Sequence, residues 1–182
     1  TGPKKVADFP GSWIVLAKNE TKLFKSEIIL SDPLLWGPLP TQQPNLYQAV
    51  SKVYRNGKII DEYTTTFGIR DVRFDPVNGV FINGQPVRIR GVNMHHDLGA
   101  LGAAFNSAAA ERQLEILAEM GCNAIRMAHN PPAPELLEMT DRMGFLVIDE
   151  IFDSWQAGKN PHDFHLIFDD WSEADLRSFI RR

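Results

Sequence analysis

The sequence predicts a multi-domain β plus α/β chain: part of a β-sandwich over residues 1–70, then three βα units over residues 71–182. Three observations predict it. Short β-type runs separated by turn residues fill the first seventy positions. Apolar strands alternating with amphipathic helices fill the rest. Polar residues then gather at the end of each apolar strand, where a parallel barrel builds its sites.

In the first part, Trp13–Ala17, Ser26–Leu30, Leu46–Tyr54 and Lys58–Phe67 have strand composition. Asn56-Gly57 joins the last two and favours the positive φ angles of a type I′ hairpin. Pro33, Pro38, Pro40 and Pro44 interrupt the chain between the second and third runs. Four or five strands fall short of the seven of a full immunoglobulin-like sandwich, so further strands are expected upstream.

In the second part, Asn83-Gly84 marks another hairpin. Val87–Val92 is predicted as the first strand of a parallel sheet. Ser107 is the expected cap of a helix running to about Met120, with Leu114, Leu117, Ala118 and Gly121 on one stripe. Ala124–Ala128 is a short buried strand. Pro134 opens the next helix, whose Leu136, Leu137, Met139 and Met143 face inward before Gly144 ends it. Leu146–Ile148 is a third strand, and a third helix is expected from about Ser172. Three such units fit the start of an eightfold barrel or half of a doubly wound sheet. No G-x-G-x-x-G follows a strand, which argues against a dinucleotide fold.

Composition narrows the function. The chain has 182 residues, 43% apolar and 23% charged, with a net charge of −4. No basic run points to nucleic acid, and no apolar run is long enough to span a membrane. The lone Cys122 cannot form an internal disulfide and is expected as a small buried hydrophobe. The chain opens without a Met or a leader and stops inside a helical pattern. Both ends therefore read as cut, and the remainder of a longer parent chain is the expected partner. The compartment stays open, a periplasmic or secreted parent included.

The candidate site residues sit at strand ends. His95 and His96 follow the first strand, and His129 follows the second, ahead of Asn130-Pro131-Pro132. Arg126 lies within an otherwise apolar strand and needs a carboxylate partner. It is either half of a structural ion pair or the organiser of a catalytic carboxylate, and the second is favoured. Asp149-Glu150 ends the third strand. Adjacent strand residues face opposite ways, so these two cannot form a facing catalytic pair. His95, His129 and Asp149 also fit a metal-dependent hydrolase, but no H-x-H or H-E-x-x-H spacing supports a metal. Trp155 is placed to stack on a sugar ring or to cover the barrel top. The 156–168 loop is long and polar enough to be functional or disordered.

Several of these motifs together resemble glycoside hydrolase family 2. They are Leu35-Trp36-Gly37-Pro38, Pro44-Asn45-Leu46-Tyr47, Phe67-Gly68-Ile69-Arg70, Asn83-Gly84-Gln85-Pro86-Val87 and Arg90-Gly91-Val92-Asn93-Met94-His95. Gly121-Cys122-Asn123-Ala124-Ile125-Arg126, His129-Asn130-Pro131-Pro132 and Gly144 to Glu150 continue the series. The resemblance implies the end of an immunoglobulin-like domain followed by the first three units of a TIM barrel. It implies a retaining β-galactosidase as parent, with a β-galactoside as substrate and no cofactor. A β-glucuronidase is the alternative specificity, and a non-catalytic carbohydrate-binding or scaffold module is the alternative class.

By resemblance, His95, His129, Asp149 and Trp155 bind substrate, and Arg126 orients the nucleophile. Ser154 and Gln156 stand where the magnesium-dependent galactosidases carry ligands, so no metal is inferred. The family's acid/base follows the fourth strand in an Asn-Glu pair and its nucleophile the seventh. Neither falls in this chain, and Asn19-Glu20 lies in the sandwich part. No residue here is therefore expected to be catalytic, and the chain alone is expected to be inactive.

Overall fold

The computed structural model describes residues 4–181. Its compact units are Thr1–Leu34 and Leu35–Arg182. The described part of the first unit contains no helix or strand. The strands expected at Trp13–Ala17 and Ser26–Leu30 are therefore absent. A strand is stable only with a hydrogen-bonded neighbour and a face to bury. Here Trp13 is 98% and Ile29 93% exposed, and neither run has a ladder partner.

The second unit begins with an antiparallel hairpin, β1 (Tyr47–Arg55) and β2 (Lys58–Phe67). Asn56 and Gly57 turn it with φ of 52° and 75°, the positive pair that a type I′ turn requires. No second sheet faces this hairpin among the described residues, so the expected sandwich is reduced to two of its strands. A small antiparallel sheet follows, with order β3 (Val72–Asp75), β4 (Gly79–Ile82), β5 (Gln85–Pro86).

Trp36 ties the segment before the hairpin to the rest of this unit. It is 3% exposed. Its backbone N–H donates to Ile69 O at 2.8 Å, and its indole Nε1–H donates to Asp141 O at 2.8 Å. Asn83 Nδ2 donates to Trp36 O, and the Arg70 guanidinium lies 4.8 Å from the indole centroid. Gly68 lets the ring approach: a Cβ there would stand 2.8 Å from Trp36 Cβ.

The parallel sheet has order β6 (Gly91–Met94), β7 (Ala124–Met127), β8 (Leu146–Asp149). Its first strand starts later than the Val87 expected from apolar content. Asn123 is the reason. Its side chain accepts from Arg90 N–H and donates to Arg88 O, so these two backbone groups are bonded by a side chain, while Val87 N–H is held by Val80 O of β4 and Arg90 O accepts from the amides of Asn123 and Ala124. Helix α1 (Ser107–Glu119) follows β6, α2 (Pro134–Met143) follows β7, and α3 (Phe168–Ile180) lies after β8.

Two helix starts differ from expectation. Asn106, not Ser107, caps α1, its Oδ1 accepting from Ala109 N–H at 3.0 Å. The third helix begins at Phe168 instead of near Ser172. A 3₁₀ turn at Phe164–Ile167, capped by Asp163, leads directly into it, and Asp169 and Asp170 suit its positive N-terminal end. The stop of α2 is as expected: Gly144 takes φ 75°, a left-handed conformation open to glycine.

The core lies between the sheet and its first two helices. Ala110 and Leu114 of α1, Ile125 and Met127 of β7, Leu136 and Met139 of α2, and Phe145 form one buried cluster. Cys122 packs half-buried against it.

Candidate functional site

Strand β7 divides its side chains by parity. Ile125 and Met127 enter the core beneath the helices, so Arg126 projects from the opposite face of the sheet. The register places Asn93 of β6 and Ile148 of β8 on either side of it. Glu150, two residues beyond Ile148, returns to that same face.

These groups form an ion-paired array at the carboxyl ends of the strands. Arg126 Nε and Nη2 donate to Glu150 Oε1 at 2.8 and 2.7 Å. Arg126 Nη1 donates to Asn93 Oδ1 at 3.2 Å. His129 Nδ1 lies 3.2 Å from Glu150 Oε2 and 3.4 Å from Arg126 Nη2. The His95 ring meets the His129 ring edge-on, with centroids 5.4 Å apart and planes at 79°. Burial by itself would raise the Glu150 carboxyl. The hydrogen bonds and charges of Arg126 and His129 outweigh it and hold the group below its usual range. Glu150 is therefore ionised at neutral pH.

His95, His129 and Arg126, all singled out from sequence, are thus brought together, while Asp149 and Trp155 lie apart from the array. Asp149 pairs in register with Met127 and shares its helix-facing parity. Its Oδ1 is buried without a hydrogen-bond partner, and burial pushes its carboxyl up. His96 does not join the array either: its Nε2 lies 3.3 Å from Asn130 O. Among the described residues, no group of three or more His, Cys, Asp or Glu side chains is placed to share a metal ion.

Trp155 is 63% exposed and belongs to a ring cluster. It stacks on Phe168 at 5.8 Å and meets Phe152 edge-on at 5.9 Å, while Phe152 stacks on Phe164 at 4.9 Å. The long polar loop is ordered by Asp163. This carboxylate accepts from the amides of Lys159, Asn160 and His165 and from the His165 ring. Burial would raise the Asp163 carboxyl, but these bonds hold it far below its usual range. Lys159 Nζ closes the loop onto Asp153 at 2.8 Å.

Glu150 is the member that sequence reasoning left without a role. A signal was present. An arginine inside an apolar strand needs a carboxylate. In a parallel neighbour, only residues of matching parity can supply it, and that selects Glu150 over Asp149.

Two family models match the chain: "Glycosyl hydrolases family 2" over residues 3–70 and "Glycosyl hydrolases family 2, TIM barrel domain" over residues 76–162. A β-galactosidase of Bacteroides ovatus is 51% identical over 160 residues, covering 88% of this chain and 18% of its own length. A putative β-glucuronidase of Formosa agariphila is 38% identical over 173 residues, covering 92% of this chain and 16% of its own. Among solved structures, a β-glycosidase from Bacteroides vulgatus superposes with a TM-score of 0.79 at 38% identity, covering 84% of this chain and 20% of that one. The chain thus spans about a fifth of the length of the relatives it matches. These neighbours support a β-rich part followed by the beginning of a TIM barrel.

Proposed function

Because the chain belongs to glycoside hydrolase family 2, we propose that it forms part of a retaining β-glycosidase acting on terminal β-galactosides. The observation that carries this reading is the Arg126–Glu150–His129 array at the carboxyl ends of parallel strands, where a barrel enzyme binds its substrate. The 51% identity to a β-galactosidase favours galactose as the sugar.

In a retaining mechanism one carboxylate attacks the anomeric carbon while a second, about 5 Å away, protonates the leaving oxygen and later activates water. Both belong outside these 182 residues in this proposal. Glu150 is given the separate task of holding Arg126 on one oxygen and His129 on the other. The residues present bind and orient. His95 and His129 offer ring nitrogens to sugar hydroxyls. Arg126 has five N–H donors and places three on Glu150 and Asn93, which leaves donors to steady a second carboxylate, the nucleophile. Trp155 offers an exposed ring for stacking at the rim. Asp149, read from sequence as a substrate contact, shares the helix-facing parity of Met127 and is left out of the proposed sugar-binding set.

The test is a panel of nitrophenyl β-glycosides given to the enzyme that contains this chain and to the chain alone. The expected result is release from the galactoside by the enzyme and none by the chain. Preference for the glucuronide would replace the proposed specificity. Turnover by the rigorously purified chain would refute the assignment of the catalytic pair.

A further inference from the structure

His129 Nδ1 has two neighbours that can bond it, and they demand opposite tautomers. Glu150 Oε2, at 3.2 Å, can only accept, so it requires a proton on Nδ1. Arg126 Nη2, at 3.4 Å, can only donate, so it requires a lone pair there and places the proton on Nε2.

Three features decide between them. The carboxylate oxygen is the nearer partner. Arg126 Nη2 already donates to Glu150 Oε1 at 2.7 Å, so it loses little if His129 declines it. An Nδ1 lone pair 3.2 Å from a carboxylate lone pair would also be repelled, with no hydrogen between the two atoms.

We infer that Glu150 is a positioning residue that locks neutral His129 as the Nδ1–H tautomer, leaving Nε2 as an acceptor for a hydroxyl hydrogen of the bound sugar. Arg126 makes the lock directional. By holding Oε1 with two donors, it turns Oε2 towards the imidazole. A histidine oriented in this way by a carboxylate presents its far nitrogen in one defined chemical form. The consequence is selectivity at that contact. A hydroxyl, which can donate, is accepted there, whereas a sugar carboxylate or a fluorine would set lone pair against lone pair. This consequence for sugar rests on the proposed glycosidase reading, but the tautomer itself does not.

The experiment is long-range proton–nitrogen correlation NMR of the 182-residue chain labelled with ¹⁵N-histidine, at mildly alkaline pH and without sugar. The His129 signals are identified by their loss in His129→Gln. The expected pattern is a pyrrole-type Nδ1 and a pyridine-type Nε2, and the reverse pattern overturns the inference. In Glu150→Gln, Arg126 still requires an acceptor at the Oε1 position, so the new amide NH₂ faces His129 and the tautomer should reverse. Glu150→Ala should reverse it too, by leaving Arg126 as the partner. Retention of Nδ1–H in either variant removes Glu150 from the role. A purely structural Glu150 would disturb amide signals without exchanging the two ring nitrogens. Since no sugar is present, failure of the glycosidase reading in the substrate panel and failure of this assignment are separately visible.

Discussion

Leu114→Ala removes the centre of the packing that supports β7. Leu114 is fully buried, in one cluster with Ile125, Met127, Leu136, Met139 and Phe145. The change deletes three carbons, which at about 0.8 kcal/mol each is roughly 2.4 kcal/mol of lost transfer energy. The cavity adds to this, and comparable Leu→Ala changes cost about 2.7–5.0 kcal/mol. Two methionines line the space, Met127 and Met139, and their flexible side chains can swing partly into it. A loss near the lower end, about 3 kcal/mol, is therefore expected. With a urea m-value of about 2 kcal/mol per M, the midpoint should fall by roughly 1.5 M. Urea unfolding followed by far-ultraviolet circular dichroism and by tryptophan emission measures it. Ile116→Ala, on the same helix but 40% exposed, is the control and should cost less than about 1 kcal/mol. A loss below about 1 kcal/mol for Leu114→Ala, at unchanged m-value, would show that α1 does not pack on β7 as described.

Other expectations concern the segment tie and the site. Gly68→Ala should destabilise by about 1–3 kcal/mol, because its methyl would press on Trp36 Cβ and Cγ; unchanged thermal unfolding would contradict that contact. The Glu150 carboxyl is lower in the folded state than its ordinary value of 4.5, so the stability it contributes is present above that pH and fades as pH falls through the folded value. The stability gap between wild type and Glu150→Gln should therefore shrink on acidification from pH ~6, and a gap that widens would reverse the assigned sign. Asp149 is shifted the opposite way, upward from 3.8 by burial, so its ionisation weakens the fold as pH rises. Asp149→Asn should equal or exceed wild type in neutral-pH melting temperature, and a marked drop would reveal a partner for that carboxylate. In the enzyme that contains this chain, His129→Phe should lower kcat and kcat/KM together by about 2–4 kcal/mol in barrier, as for loss of other preorganised groups. Near wild-type kcat there would leave His129 a packing residue.

The sequence by itself determined what depends on local chemistry. Asn56-Gly57 specified its hairpin because few other pairs adopt two successive positive φ angles. Pro134 and Gly144 bounded α2 because one lacks an N–H and the other lacks a Cβ. The period of Leu136, Met139 and Met143 chose its buried face, although Leu137, expected inward with them, stands outside the core cluster. The ordered motifs from Trp36 to Glu150 also indicated the family. Tertiary structure decided what depends on partners distant in sequence. Trp13–Ala17 and Ser26–Leu30 have strand composition but no ladder neighbour, and composition alone cannot pair a strand. Asn123 bonds Arg90 N–H and Arg88 O through its side chain, ahead of the first parallel strand, and no periodicity records such bonds. Arg126 announced that it needed a carboxylate, but three strands had to come into register before Glu150 could be told from Asp149. The two are adjacent in sequence and face opposite ways at the end of β8, so burial and pairing, not residue type, separate their chemistry.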